Sequence, residues 1–299
     1  MKLKESDLTT DRLWRATTGM SKEKFYALFK FFKPAYLSIH FKTLEDRKVG
    51  SSIGYCIQDE KELLLFSLLS LKSGCNYDLL GVFTGMSASN AKRNQTIGLE
   101  VLQKSLEMCG CMPKRKFLNV EEFTEFFKDC DELIFDATEH RIQRFNDYEL
   151  QKDYYSGKTK AHTVKAMNIS TKLKSIKYLS HCYAGKIHDY ALLKEEFPQE
   201  FKWFENVNIR VDLGYLGIAK DYLCKNVFIP HKKSKNKPLT EEQKDENQLL
   251  ASERVAVEHS IGGMKRYRCL VNKLRLHDFV LYDVLLGVCA GLWNFYLAN

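Results

Sequence analysis

Two aspartates interrupt apolar runs where a core strand would ordinarily carry another hydrophobic residue or stop in a turn. Asp136 follows "ELIF" at 132–135, and Asp212 follows "NIRV" at 208–211 with "LGYLG" close behind. Carboxylates that converge from rigid elements can hold two divalent ions about 4 Å apart and clamp the attacking and leaving oxygens of a phosphoryl transfer. A lone strand-end aspartate is more often a turn former or a helix cap. Two of them on strands expected to be central shift the balance toward metal ligation.

A third ligand should come from a helix packed on the same sheet, and "ERVAVEHSIGGMKRYR" at 253–268 supplies a candidate in Glu258. At about 100° per residue, Arg254, Glu258 and Lys265 fall within about 40° of one another. Leu250, Val257, Ile261 and Met264 form an apolar stripe beside that face. An i, i+4 ion pair between Arg254 and Glu258 on a solvated helix explains the spacing equally well. The pair Gly262 and Gly263 weakens the helix and points to a bend or a close approach by a strand or DNA. His259, about 100° from Glu258, has no evident role.

These acids need a scaffold. β-rich runs lie at 132–140, 158–171, 175–185, 208–215 and 226–230, with helical segments at 188–201 and 217–225 and a long helical region from about Thr240. A three-strand meander followed by strands alternating with helices predicts a mixed α/β sheet covered by helices, compatible with a ribonuclease H-like fold. Lys158, Lys160, His162 and Lys165 lie along one expected hairpin, which reads either as a DNA-facing strand or as a solvated edge. Asp189, opening "YALLKEEF", reads as an N-cap before it reads as a metal ligand. Glu139 is a second acid close to Asp136. The run 230–248, with Lys232, Lys233, Lys235 and Lys237, reads as a solvated loop that could also follow a phosphate backbone.

The N-terminal part is different in character. A helix is expected over 22–38, then a linker with Gly50, Ser51 and Ser52. From Glu60, three apolar-periodic segments are broken at Gly74 and Gly85, and the third starts with Ser and Asn residues suited to capping. This succession predicts an all-α helix-turn-helix, with Ser87, Ser89, Asn90, Lys92, Arg93 and Asn94 at the exposed start of a recognition helix. A three-helix bundle with a merely solvated polar face is the plainer reading. The expected division is an N-terminal helical segment and linker at 1–52, a DNA-binding domain at 53–125 and a catalytic domain at 126–299.

Composition sets the outer limits. The 299 residues are 44% hydrophobic and 28% charged, which is the make-up of a folded protein, and the net charge of +8 favours an anionic partner. Nine cysteines without a paired CxxC spacing read as reduced thiols in a cytosolic protein. The first residues lack the apolar stretch of a signal peptide. The apolar run 279–298 contains Asp283 and Asn294, so a buried terminal helix is expected in place of a membrane span. The expected location is cytoplasmic, at the nucleoid if the source is bacterial.

"FDATEH", "YSGKTKAHTVKAM", "GKIHDY", "VDLGYLG" and "RVAVEHSIGGMKRYR", in this order, resemble the DDE superfamily endonuclease domain of insertion-sequence transposases related to the Harbinger elements. The resemblance covers about residues 130–295, and the segment before it is similar to the DNA-binding module that usually accompanies that domain. It implies a ribonuclease H-like domain that cuts double-stranded DNA at element ends and joins the 3′-hydroxyls to a target. Two Mg²⁺ ions, with Mn²⁺ as a substitute, would be held by Asp136, Asp212 and Glu258. Arg254 and Lys265 match the Arg and Lys of a Y-x2-R-x3-E-x6-K signature whose Tyr is Ala251 here. A homodimer on DNA is implied as well. A catalytically silent DNA-binding regulator and an endonuclease that only hydrolyses are the competing expectations.

Overall fold

The computed structural model describes residues 1–48, 55–234, 238–273 and 278–299. The expected linker at Gly50, Ser51 and Ser52, and Lys235 and Lys237 of the basic run, lie outside the described residues. Two compact units cut across sequence order: one is built from 1–112 with 264–273 and 278–299, the other from 113–263.

The first unit is helical. Its N-terminal helices are α1 (Asp11–Thr18), α2 (Lys22–His40), α3 (Leu44–Lys48), α4 (Glu60–Ser73), α5 (Tyr77–Thr84) and α6 (Ala88–Met108). Local chemistry sets the borders of the last three. Asp59, Asn76 and Ser87 each accept a backbone N–H from the first turn, satisfying a donor that has no partner within the helix. Gly74 and Gly85 end α4 and α5 at φ +59° and +78°, a conformation costly for any residue with a Cβ. α6 packs against α2, α4 and α5, burying Ala91, Leu99, Val101, Leu102 and Leu106.

The second unit runs α7 (Val120–Phe127), β1 (Glu132–Arg141), α8 (Tyr148–Tyr154), β2 (Tyr155–Ser156), β3 (Ala161–Ser170), β4 (Ile176–Leu179), β5 (Tyr183–Ala184), α9 (Asp189–Glu196), β6 (Asn208–Arg210), α10 (Ile218–Asp221), β7 (Asn226–Phe228) and α11 (Glu241–Met264). Its sheet is mixed, in the order β2-β3-β1-β6-β7, with β4 and β5 also paired to β3. β1 is antiparallel to β3 and parallel to β6, which is parallel to β7. The expected mixed sheet covered by helices is therefore present. Its third antiparallel run is split into β4 and β5.

Alternation along the strands sorts the two faces. Leu133, Phe135, Met167, Ile169, Ile209 and Val211 point into a core completed by Phe123 and Phe127 of α7, by Leu192 and Leu193 of α9, and by Phe197, Phe204 and Tyr215. The other face carries Asp136 and Arg210, and α11 reaches both: Glu253 pairs with Arg210 at 2.6 Å, and Arg254 lies 3.5 Å from Asp136. Arg210, 2% exposed, also grips Glu132 with Nε and Nη2 at 2.7 and 3.1 Å, tying β6 to β1.

The last helix, α12 (Phe279–Ala298), belongs to the first unit and packs on α6. Among the described residues it alone is long and apolar enough to cross a membrane, and most of it is buried in the fold. All nine cysteines are free thiols.

Candidate carboxylate centre

β1 does not end at Asp136. The strand continues to Arg141 because its antiparallel pairing with β3 continues, Asp136 facing Asn168 and Arg141 facing Thr163. What ends near Asp136 is the parallel pairing with β6, whose last pair is Ile134 with Arg210. The chain then leaves the sheet through a 3-10 turn at Leu213–Tyr215. Asp136 and Asp212 each lie two residues past that last pair, and Asp212 is near enough to act on the charge of Asp136.

Each aspartate has a distinct environment. The Asp136 side chain is 16% exposed; its Oδ1 accepts the Ala137 N–H at 2.8 Å, and its Oδ2 lies 3.5 Å from Arg254 Nη2. Burial is the main cause that pushes its carboxyl up to about 6, partly opposed by Arg254 and the Ala137 N–H and reinforced by Asp212 and Asp189. Asp212 caps the 3-10 turn, accepting the Gly214 N–H at 2.8 Å. The cap and ligand readings of this residue are compatible, since one oxygen remains for other partners. A Cβ on Gly214 would lie 2.8 Å from Asp212 Oδ1 and 3.6 Å from Asp189 Oδ2, so the glycine keeps open a small space flanked by two carboxylates.

Glu258 lies on α11 and is exposed. Among the described residues no three His, Cys, Asp or Glu side chains form a group that could hold a metal ion, so Glu258 is not gathered with Asp136 and Asp212. Val257 and Met264 are buried, and Leu250 and Ile261 half-buried, as the helical stripe requires. The helix stops at Met264, which leaves Lys265 outside it. The face shared by Arg254 and Glu258 therefore does not extend to Lys265. Gly262 lies within α11, and a Cβ added to it would meet nothing within 4 Å. The helix end replaces the expected bend, and no other segment crowds Gly262.

The basic hairpin separates into two kinds of residue. Lys158 and Lys160 sit in the turn between β2 and β3, both exposed, with Lys160 at φ +50°. His162 is half-buried, its ring 5.7 Å from that of Tyr155. Lys165 is buried, with Glu139 at 3.2 Å, Asp189 at 2.7 Å and the Ile187 carbonyl at 2.7 Å, so its charge is already engaged within the fold. Glu139 points to the opposite face from Asp136 and also accepts the Thr159 and Thr163 hydroxyls. In the helical unit, Ser89, Asn90, Lys92 and Arg93 are all exposed on the first turns of α6, while Ala91 and Gln95 are buried.

Two residues near the centre have surroundings that differ from what the sequence suggests. Asp189 is not an N-cap: that position is His188, which makes no side-chain cap hydrogen bond. Asp189 instead binds Lys165 and adds to the negative charge around Asp136. Tyr215 is fully buried; burial first, then Asp189, Asp136 and Asp212, push its phenol well above the ordinary value, so it is a neutral O–H. Its place after "DLG" was visible, but its burial depends on contacts remote in sequence.

Carboxylates suit hard divalent cations, which take oxygen ligands; here Asp136 is offset by Arg254 and Asp189 by Lys165. Comparison with known proteins agrees with this chemistry. Residues 135–294 match the model of the DDE superfamily endonuclease family. Over 299 residues, all of this chain and 99% of the other, it is 27% identical to a protein of Microchaete diplosiphon described as a probable transposase for insertion sequence element IS702. No solved structure matches the chain.

Proposed function

The chain belongs to the DDE superfamily endonuclease family, and from that premise we propose that it is a DNA transposase. It binds the terminal inverted repeats of an insertion sequence, cleaves at the element ends and joins the 3′-hydroxyls to target DNA. The observation that carries the reading is the placing of Asp136 and Asp212 just past the last pair of β1 with β6, where burial first, and Asp212 and Asp189 after it, push Asp136 up to about 6. The relative described as a probable insertion-sequence transposase, matched end to end, supports it.

Asp136 and Asp212 would hold two divalent ions, Mg²⁺ with Mn²⁺ as a substitute, with Glu258 of α11 as the third ligand that the family pattern implies. Bound there, the ions would activate water or a 3′-hydroxyl and offset charge on the reacting phosphate. Arg254, released from Asp136, turns its planar fork to a phosphate, and Lys265 adds a point charge. Lys158, Lys160 and His162 bear on the DNA backbone; Lys165 holds Glu139 and Asp189 in place. The helices α4, α5 and α6 serve as a helix-turn-helix, with Ser89, Asn90, Lys92 and Arg93 facing the duplex. Two element ends must be handled together, so the working form is a homodimer on DNA.

The test is incubation with DNA carrying the element ends, Mg²⁺ and a supercoiled target, comparing the wild type with Asp136→Ala, Asp212→Ala and Glu258→Ala. Nicking and joining by the wild type alone is the expected result. Binding without nicking indicates a silent regulator, nicking without joining a hydrolytic endonuclease, and equal activity in the three variants a different active site.

A further inference from the structure

Two of the nine cysteines are in contact. Cys269 Sγ and Cys289 Sγ lie 3.7 Å apart, although the residues are 20 positions apart in sequence, and both belong to the helical unit. A disulfide bond is about 2 Å long, so the sulfurs must close by about 1.7 Å, the reach of a modest side-chain rotation. Their surroundings differ. Cys289 is fully buried on α12, and burial first, then Cys269, holds its thiol well above the ordinary range, so it stays neutral. Cys269 is half-buried on a 3-10 turn, Arg268–Leu270. Cations lie around that turn: Arg268 is exposed, and the Lys72 ammonium donates to the Arg266 carbonyl at 3.0 Å. The turn is also pressed against the end of α4, where a Cβ on Gly74 would come 2.8 Å from the Cys269 backbone N and Asn272 donates to the Gly74 carbonyl at 3.1 Å. A partly accessible thiol in an electropositive setting, with a second thiol in contact behind it, is the arrangement of a reactive cysteine and its resolving partner.

We propose that Cys269 and Cys289 are a thiol modification site of the helical unit, which takes a small anionic disulfide and becomes an internal disulfide. The Cys269 thiolate, its proton lost to solvent, attacks one sulfur of the incoming disulfide; that S–S bond breaks, a mixed disulfide forms on Cys269, and the first thiolate leaves and is protonated. Cys289 then attacks the Cys269 sulfur, its proton passing to the second departing thiolate. The two protein thiols are oxidised by two electrons, and the reagent is reduced to two thiols. Arg268 and Lys72 draw the anionic reagent toward Cys269, and burial keeps Cys289 from reacting first. The new bond fastens the segment that follows α11 to α12, whatever reaction the chain carries out on DNA.

The test treats the full chain, reduced beforehand and without denaturant, with oxidised glutathione, then digests it without reduction and maps the peptides by mass spectrometry. The first two thiols that the wild type loses should be those of Cys269 and Cys289, recovered as one cross-linked peptide pair. Cys289→Ala should keep one glutathione on Cys269, and Cys269→Ser should leave Cys289 unmodified. Arg268→Glu, a change at an exposed side chain, should slow the reaction several-fold with oxidised glutathione and not with the cationic disulfide cystamine. Circular dichroism checks the fold of each variant, and the wild-type map decides even where a variant fails to fold. Glutathione retained on Cys269 in the wild type, oxidation of Cys109 with Cys111 ahead of this pair, or modification of Cys289 in Cys269→Ser would each overturn the proposal. A rate for Arg268→Glu equal to that of the wild type with oxidised glutathione would overturn the anionic class of the reagent.

Discussion

Replacing Asp136 with Asn should make the protein more stable at pH 8 while abolishing its activity. Asp136 is raised from 3.8 to about 6, with burial the largest cause. A carboxyl with a higher pKa in the folded than in the unfolded chain stabilises the fold below the unfolded value, and that contribution is lost as pH rises through the folded one. At about 1.4 kcal/mol per pH unit, the ionised group costs the folded state about 3 kcal/mol above pH 7. Asn keeps the shape and removes this cost, and the attraction of Arg254, 3.5 Å away, is already contained in the shift. The net gain is about 3 kcal/mol at pH 8. Below pH 4 it should vanish, because Asp136 is then protonated in the wild type as well. Urea denaturation in EDTA at pH 4, 6 and 8 measures the difference, with Trp203 reporting from the core of the same unit. Mn²⁺ should stabilise the wild type and not the variant. A destabilised variant at pH 8, or a gap that stays constant down to pH 4, would refute the reasoning.

Two further outcomes are expected. Lys92→Ala with Arg93→Ala, both side chains exposed on α6, should leave the melting temperature unchanged; DNA binding measured against salt should show a slope smaller by about 2, one released counterion per phosphate contact. Arg210→Met should destabilise the sheet unit by about 3–5 kcal/mol in urea denaturation. It leaves Glu132, whose side chain is 5% exposed, with Lys172 at 3.3 Å as its remaining cation.

Much of the scaffold was legible because it is written locally. Asp59, Asn76 and Ser87 at helix starts, Gly74 and Gly85 at helix ends, and the apolar runs at 132–135 and 208–211 each act within a few residues of themselves. Asp136 and Asp212 stood out for a related reason: an acid inside or just beyond an apolar run is costly unless it has a purpose. The stripe of Val257 and Met264 on α11 likewise follows from helical period alone.

What one residue meets across the fold was not written locally. Nothing in the run "ELIFDATEH" says that β1 keeps its partner β3 past Asp136 while losing β6, because that depends on two registers set by different strands. Lys165 read as a candidate for DNA until the packing of α9 buried it against Asp189. Asp189 read as a cap, and Tyr215 as one aromatic among fifteen tyrosines. The terminal helix followed the sheet in sequence yet packs on α6. Sequence alone determined which residue types were available for chemistry and which segments would be helix or strand, since propensity, capping and periodicity are short-range. Only tertiary structure decided which charges are spent in internal pairs and which acids share one field, since burial and Coulomb interaction depend on distance in space.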